Sequence, residues 1–81
     1  MQFKNDEELY RTIGNNIKKY RELSHLTQVQ LADYAQISIS YLSKIEATGC
    51  HKSLSISVLN QIANILNVEI IEFFKEEIID A

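Results

Sequence analysis

Proline and tryptophan are absent from these 81 residues, and glycine (Gly14, Gly49), cysteine (Cys50) and methionine (Met1) are scarce. Without proline no position loses its helical N–H, and two glycines are too few for a flexible linker, so one all-α domain spanning 1–81 is expected. A single cysteine excludes an internal disulfide and suits a reducing compartment. No apolar run reaches membrane-spanning length, and the polar start from Met1 to Glu8 lacks the apolar stretch of a secretory signal. The expected localisation is cytoplasmic, with no membrane partner.

Net positive charge is also lacking. A formal charge of −3 argues, taken over the whole chain, against nucleic acid, because phosphate contacts dominate that affinity. Its distribution alters the conclusion: from Arg11 to Lys52 six cations (Arg11, Lys18, Lys19, Arg21, Lys44, Lys52) face three acids (Glu22, Asp33, Glu46). The acids gather at the ends. Asp6, Glu7 and Glu8 complement the dipole at the start of a first helix, and Glu69, Glu72, Glu76, Glu77 and Asp80 load the C-terminus. Solvated helix faces are the plain alternative explanation for this asymmetry.

What is present is a run of helical signals. Asn5 with Glu8 three residues on is a capping-box pattern, followed by Leu9, Ile13, Ile17 and Tyr20 at helical spacing to about Leu23. Thr27 with Gln30 repeats that pattern, so a second helix should begin near Gln28 with Leu31, Ala32 and Ala35 on its inner face. After a three-residue break, Gln36, Ile37 and Ser38, a third helix capped by Ser38 carries Leu42 and Ile45 inward. The two are too close for anything but a sharp helix-turn-helix. Outward on the third helix lie Ile39, Ser40, Ser43 and Lys44, with Tyr41 at the boundary, a polar surface that suits a DNA groove. Ser55 can cap a fourth helix with Ile56, Leu59, Ile62, Ala63 and Leu66 as its stripe. Gly14, inside the first helix, costs roughly 1 kcal/mol relative to alanine and implies a close backbone approach.

On these residues the chain resembles the Cro and phage-repressor (Xre-type) helix-turn-helix family from Ile13 to Phe74. The matching motifs are Ile13-Gly14-x-x-Ile17 with Arg21, Thr27-Gln28-x-x-Leu31-Ala32, Ile37-Ser38, Leu42-Ser43-Lys44-Ile45-Glu46 and Leu59-x-x-Ile62-Ala63-x-x-Leu66-x-Val68. Two departures stand out. Gln36 occupies the turn position where the family usually has glycine, at a cost of about 1 kcal/mol if φ is positive. The loop from Ala47 to Leu54 is longer than in the simplest members and resembles that of restriction-modification controller proteins.

The resemblance implies a compact five-helix lambda-repressor-like DNA-binding domain with a central helix-turn-helix. It implies an Arg21–Glu46 ion pair that acts as a clamp rather than a DNA contact, and a phosphate contact from Gln28. Ile39, Ser40, Ser43 and Lys44 then take the base-reading positions, and Ser38 beside them joins the DNA-binding set. Lys44 can donate to guanine, the serines can serve either base type, and Ile39 can meet a thymine methyl. Tyr41 either reaches a phosphate or props the helix. Thr48, His51 and Lys52 are either phosphate contacts or an uninvolved loop.

Beyond Val68 the chain is more apolar than a small core can use. Residues 69–81 read as a last helix, with Ile71, Phe74 and Ile78 forming one seam suited to a second copy. Related regulators dimerise through this region, and a two-fold dimer would set its reading helices about 34 Å apart on a roughly palindromic operator. The expected function is a homodimeric sequence-specific transcriptional regulator of double-stranded DNA, with a protein-interaction module (an antitoxin or regulator partner) as the alternative. No catalytic centre is expected, since Cys50 and His51 adjoin without a nearby acid or third ligand. Nor is a metal, a cofactor or a small-molecule ligand.

Overall fold

The computed structural model describes residues 2–48 and 54–76; of Thr48 it describes the backbone alone. It comprises α1 (Asp6–Leu23), α2 (Gln28–Ala35), α3 (Ile39–Thr48), α4 (Ile56–Leu66) and a short 3-10 helix (Ile70–Phe74). Each of the four α-helices begins at a polar cap. Asn5 Oδ1 accepts from Glu8 N–H at 2.9 Å, Ser38 Oγ from Tyr41 N–H at 3.0 Å and Ser55 Oγ from Val58 N–H at 3.1 Å. Thr27 and Gln30 form a complete capping box. Asn5 and Glu8 do not, because Glu8 reaches one residue further back and accepts from Lys4 N–H at 3.4 Å. Each cap replaces an orphan N–H partner and stabilises its helix by about 1 kcal/mol.

The helix ends show how a glycine-poor chain turns. His25, Gln36 and Asn67 adopt positive φ, at 59°, 58° and 57°. At each, the following N–H donates back to a carbonyl five residues earlier: Leu26 to Arg21, Ile37 to Ala32 and Val68 to Ala63. This closure satisfies carbonyls that would otherwise lack donors. Gln36 carries the strain foreseen for it, and its own Nε2 donates to Asp33 O at 2.9 Å.

The core joins all the elements. Ile13 and Ile17 of α1, Leu31, Ala32 and Ala35 of α2, Leu42 and Ile45 of α3, Leu59, Ile62, Ala63 and Leu66 of α4, and Phe73 form one buried cluster. Each fully buried leucine, isoleucine or phenylalanine stabilises the fold by about 1.5–3 kcal/mol. Gly14 is where α1 meets α3. A Cβ there would overlap the carbonyl oxygen of Ile45, so only glycine lets the two backbones approach this closely.

Two expectations need correction. Ile56 does not join the α4 stripe; it stands 70% exposed, because it is the first residue of the helix and projects beyond the core. The expected fifth α-helix is, over its described part, the 3-10 helix, which ends where Lys75 turns extended (φ −79°, ψ 130°). Tighter winding changes which residues point inward. Phe73 is fully buried and Phe74 packs partly against the core, while Ile71 is 49% exposed; three residues apart in a 3-10 helix, Ile71 and Phe74 share a face. Ile78 lies outside the described residues. Among those described, no helix is long and apolar enough to cross a membrane.

Candidate nucleic-acid interface

The α2–α3 pair is held by a buried charge network. Arg21 of α1 donates from Nε to Glu46 Oε2 at 2.7 Å and from Nη2 to Glu46 Oε1 at 2.9 Å. Its Nη1 donates to the carbonyl of Leu26 at 2.7 Å, tying down the loop that enters α2. The side chains retain only 10% and 2% exposure, which takes the pair largely out of solvent screening. The bond to Glu46 raises the Arg21 pKa above its ordinary value while burial opposes it, so the guanidinium remains charged. One planar bidentate pair thus joins the end of α1 to the last turn of α3.

Gln28 belongs to the same network. Its Nε2 donates to Glu46 Oε1 at 3.1 Å, leaving the second amide hydrogen and Oε1 for other partners. The side chain expected to meet phosphate is therefore anchored from behind, at the N-terminal end of α2. Anchoring of this kind lowers the ordering cost of a contact. The link to Glu46 had no sequence signal of its own, because it joins positions eighteen residues apart.

The outward face of α3 presents Ile39, Ser40 and Lys44 exposed and Ser43 half-buried. Leu42 and Ile45 are fully buried on the opposite face, so this helix has one side fixed to the core and one side open. Ser38 stands at its start with its oxygen engaged in the cap, which leaves its hydroxyl hydrogen as a donor. Tyr41 is half-buried and packs against the core, a position consistent with propping α3. The Thr48 side chain, with His51 and Lys52, lies outside the described residues. Gln28, Ser38, Ile39, Ser40, Ser43 and Lys44 thus occupy the one helix-turn-helix unit. The exposed side of α3 offers small hydroxyls, one methyl-bearing side chain and a cation, which are donors, acceptors and apolar groups of the size base edges accept.

A polar residue on the inner face of α1 escaped the sequence reading. Asn16, 6% exposed, donates through Nδ2 to Phe73 O at 2.9 Å and to Lys75 O at 2.8 Å. Tyr20 OH donates to Glu72 Oε1 at 2.9 Å, and Lys75 Nζ donates to Glu72 Oε2 at 2.7 Å. An asparagine three residues after Ile13 and one before Ile17, inside an apolar stripe, was the available signal.

A family model described as Helix-turn-helix (HTH_3) matches residues 17–73. The chain is 41% identical over 66 residues to the immunity repressor protein of Bacillus phage phi105, a match covering 82% of this chain and 44% of that protein. The solved structure of SinR, master regulator for biofilm formation, in complex with DNA resembles it with a TM-score of 0.71 at 32% identity, covering 78% of this chain and 98% of that one. The restriction-modification controller protein C.Esp1396I matches with a TM-score of 0.69 at 32% identity, covering 82% and 83% of the two chains. The chain spans less than half the length of the curated relatives it matches.

Proposed function

The chain belongs to the helix-turn-helix family HTH_3, and on that footing we propose that it is a sequence-specific DNA-binding transcriptional regulator acting as a homodimer on a roughly palindromic operator. One observation carries this reading: an outward, small-chained polar face on α3, held rigidly by the buried Arg21–Glu46–Gln28 network. SinR, similar in both sequence and fold, is described in complex with DNA, which supports carrying the role over.

In this reading α3 lies in the major groove. Gln28 and the exposed N–H groups at the start of α2 position the protein on a phosphate, and Lys44, Ser40, Ser43, Ser38 and Ile39 meet base edges. Thr48, His51 and Lys52 extend contacts to the DNA backbone, while Tyr41, packed on the core, props α3. Short side chains make few bidentate contacts, so groove shape and deformability supply part of the specificity. Ile71 and Phe74, which share a face of the 3-10 helix, are the described residues of the surface for the second copy, and Ile78 is assigned to it from the sequence spacing alone. With α3 duplicated across a two-fold axis, half-sites fall about 34 Å apart.

The alternative is a protein-interaction module on the same fold, favoured by the net charge of −3. Titration onto random-sequence duplex at two salt concentrations separates the two readings. A DNA reader binds saturably and weakens steeply with salt; absence of saturable binding at low salt would overturn the proposed function. Selection from a random DNA pool then defines the operator, and an enriched site lacking two-fold symmetry would refute the palindromic part.

A further inference from the structure

We propose that Asn16 is a positioning residue that sets which half-site spacing the protein prefers. The inference rests on the dimeric reading given above, and deepens it by naming how the reading helix is held relative to the C-terminal segment.

Helix α1 is a strut with two attachment seams. Gly14 meets the Ile45 backbone and Arg21 grips Glu46, both on α3. Asn16 and Tyr20 grip the segment from Glu72 to Lys75. At 3.6 residues per turn, Gly14 and Arg21 lie within about 20° of each other around the helix, and Asn16 and Tyr20 within about 40°. The two pairs are separated by roughly 100–160° around the axis, with about 130° between their midpoints. One side of α1 therefore carries the reader, while the other side carries the segment bearing Ile71.

The chemistry of Asn16 suits a lock. Both hydrogens of its amide are spent on backbone carbonyls, so the bonds fix the main chain itself at Phe73 and Lys75 rather than a movable side chain. Lys75 is where the 3-10 helix gives way to extended backbone, so the clip acts at the point where the chain's exit direction is set. A neutral double donor is required there. An aspartate would set a carboxylate against two carbonyl oxygens, and an alanine would leave both carbonyls without this partner. The bond from Tyr20 to Glu72 braces the same segment from the next turn of α1.

Rigidity of this kind has a measurable consequence. Adding one base pair between half-sites moves the second by about 3.4 Å and rotates it by roughly 34°. A dimer whose readers are held firmly relative to its interface tolerates that change poorly, and one with a loosened link adjusts to it.

The test measures affinity of the full chain for selected operators with zero, one or two base pairs added or removed between half-sites. Wild type should lose about tenfold per added or removed pair, a coupling of ordinary size between linked sites. Asn16→Ala should bind the best operator less tightly yet lose under about threefold with altered spacing, while affinity for an isolated half-site stays unchanged. Tyr20→Phe, which deletes only the half-buried brace, should flatten the profile partway and serves where Asn16→Ala does not fold. A purely structural role would lower affinity for every spacing by one factor. Profiles as sharp as wild type in both folded, dimeric variants, or in Tyr20→Phe alone if Asn16→Ala is unfolded, would overturn the inference while leaving the dimeric regulator intact. Wild type that binds no DNA, or sediments as a monomer on its operator, would overturn both.

Discussion

Lys44 and Gly14 show how differently single residues bear on function. Lys44 sits exposed on the outer face of α3 and can give a directional contact to a guanine edge. Lys44→Ala is expected to cost about 1–3 kcal/mol on the preferred operator and to relax preference at one base position, whereas Lys52→Ala should weaken all sequences alike. Competition binding against single-base operator variants distinguishes the two; equal, sequence-independent losses would remove Lys44 from the base-reading set. Gly14 touches no DNA in the proposed complex, yet its substitution reaches the reader. Gly14→Ala forces α1 and α3 apart at Ile45, where the obstacle is backbone and has no rotamer to yield. A loss of about 1–3 kcal/mol in chemical denaturation is expected. Unchanged stability would mean that the helices pack less closely than described. Gln36, by contrast, tolerates its left-handed conformation, because its own amide returns a hydrogen bond to Asp33.

At the scale of elements, the short 3-10 helix is held by groups that titrate. Lys75, and then the Tyr20 hydroxyl, hold the Glu72 carboxylate below its ordinary range. Glu72 raises the Tyr20 pKa in return, helped by burial. A depressed carboxylate stabilises the fold above its unfolded pKa, and that contribution is lost as pH falls through the folded value. A raised tyrosine stabilises below its unfolded pKa and loses that contribution only as pH rises through the folded value. The attachment is therefore complete around neutrality and weakens first in acid. Comparing wild type with Glu72→Gln by denaturation across pH, the stability difference should shrink as acid protonates Glu72. A difference independent of pH would show that the carboxylate charge contributes nothing to the attachment. The α2–α3 unit rests instead on the buried Arg21–Glu46 pair, whose bidentate bond ties α1 to the last turn of α3.

For the whole molecule, the question is what covers the apolar residues outside the core. Phe74 was expected in a dimer seam, but its partial packing on the core means that Phe74→Asp would damage fold and interface together. Ile71 is the cleaner probe, being 49% exposed on the 3-10 helix. Ile71→Lys should leave the melting transition within about 0.5 kcal/mol of wild type, as surface changes usually do. It should shift sedimentation from dimer toward monomer. A dimer of undiminished strength would place the second copy elsewhere, at exposed residues such as Leu23, Tyr34 or Ile56.

Much of this architecture was legible along the chain because its causes are local. Capping side chains act over three residues and helical stripes over four, so the Thr27 box, the Ser38 and Ser55 caps and the inward faces of α1 to α3 could be read directly. The outward face of α3 followed from the same helical spacing, and the family motifs added the Arg21–Glu46 clamp. Folding settled what depends on distant partners: that Gln28 is anchored on Glu46, that Asn16 holds Phe73 and Lys75, and that Phe73 enters the core at the expense of a continuous fifth helix. The apolar pattern after Val68 suits more than one winding, and the choice belonged to the space left between α1 and α4, which a buried phenylalanine fills. Local periodicity says which residues are apolar together; only the packed chain says which of them water is excluded from.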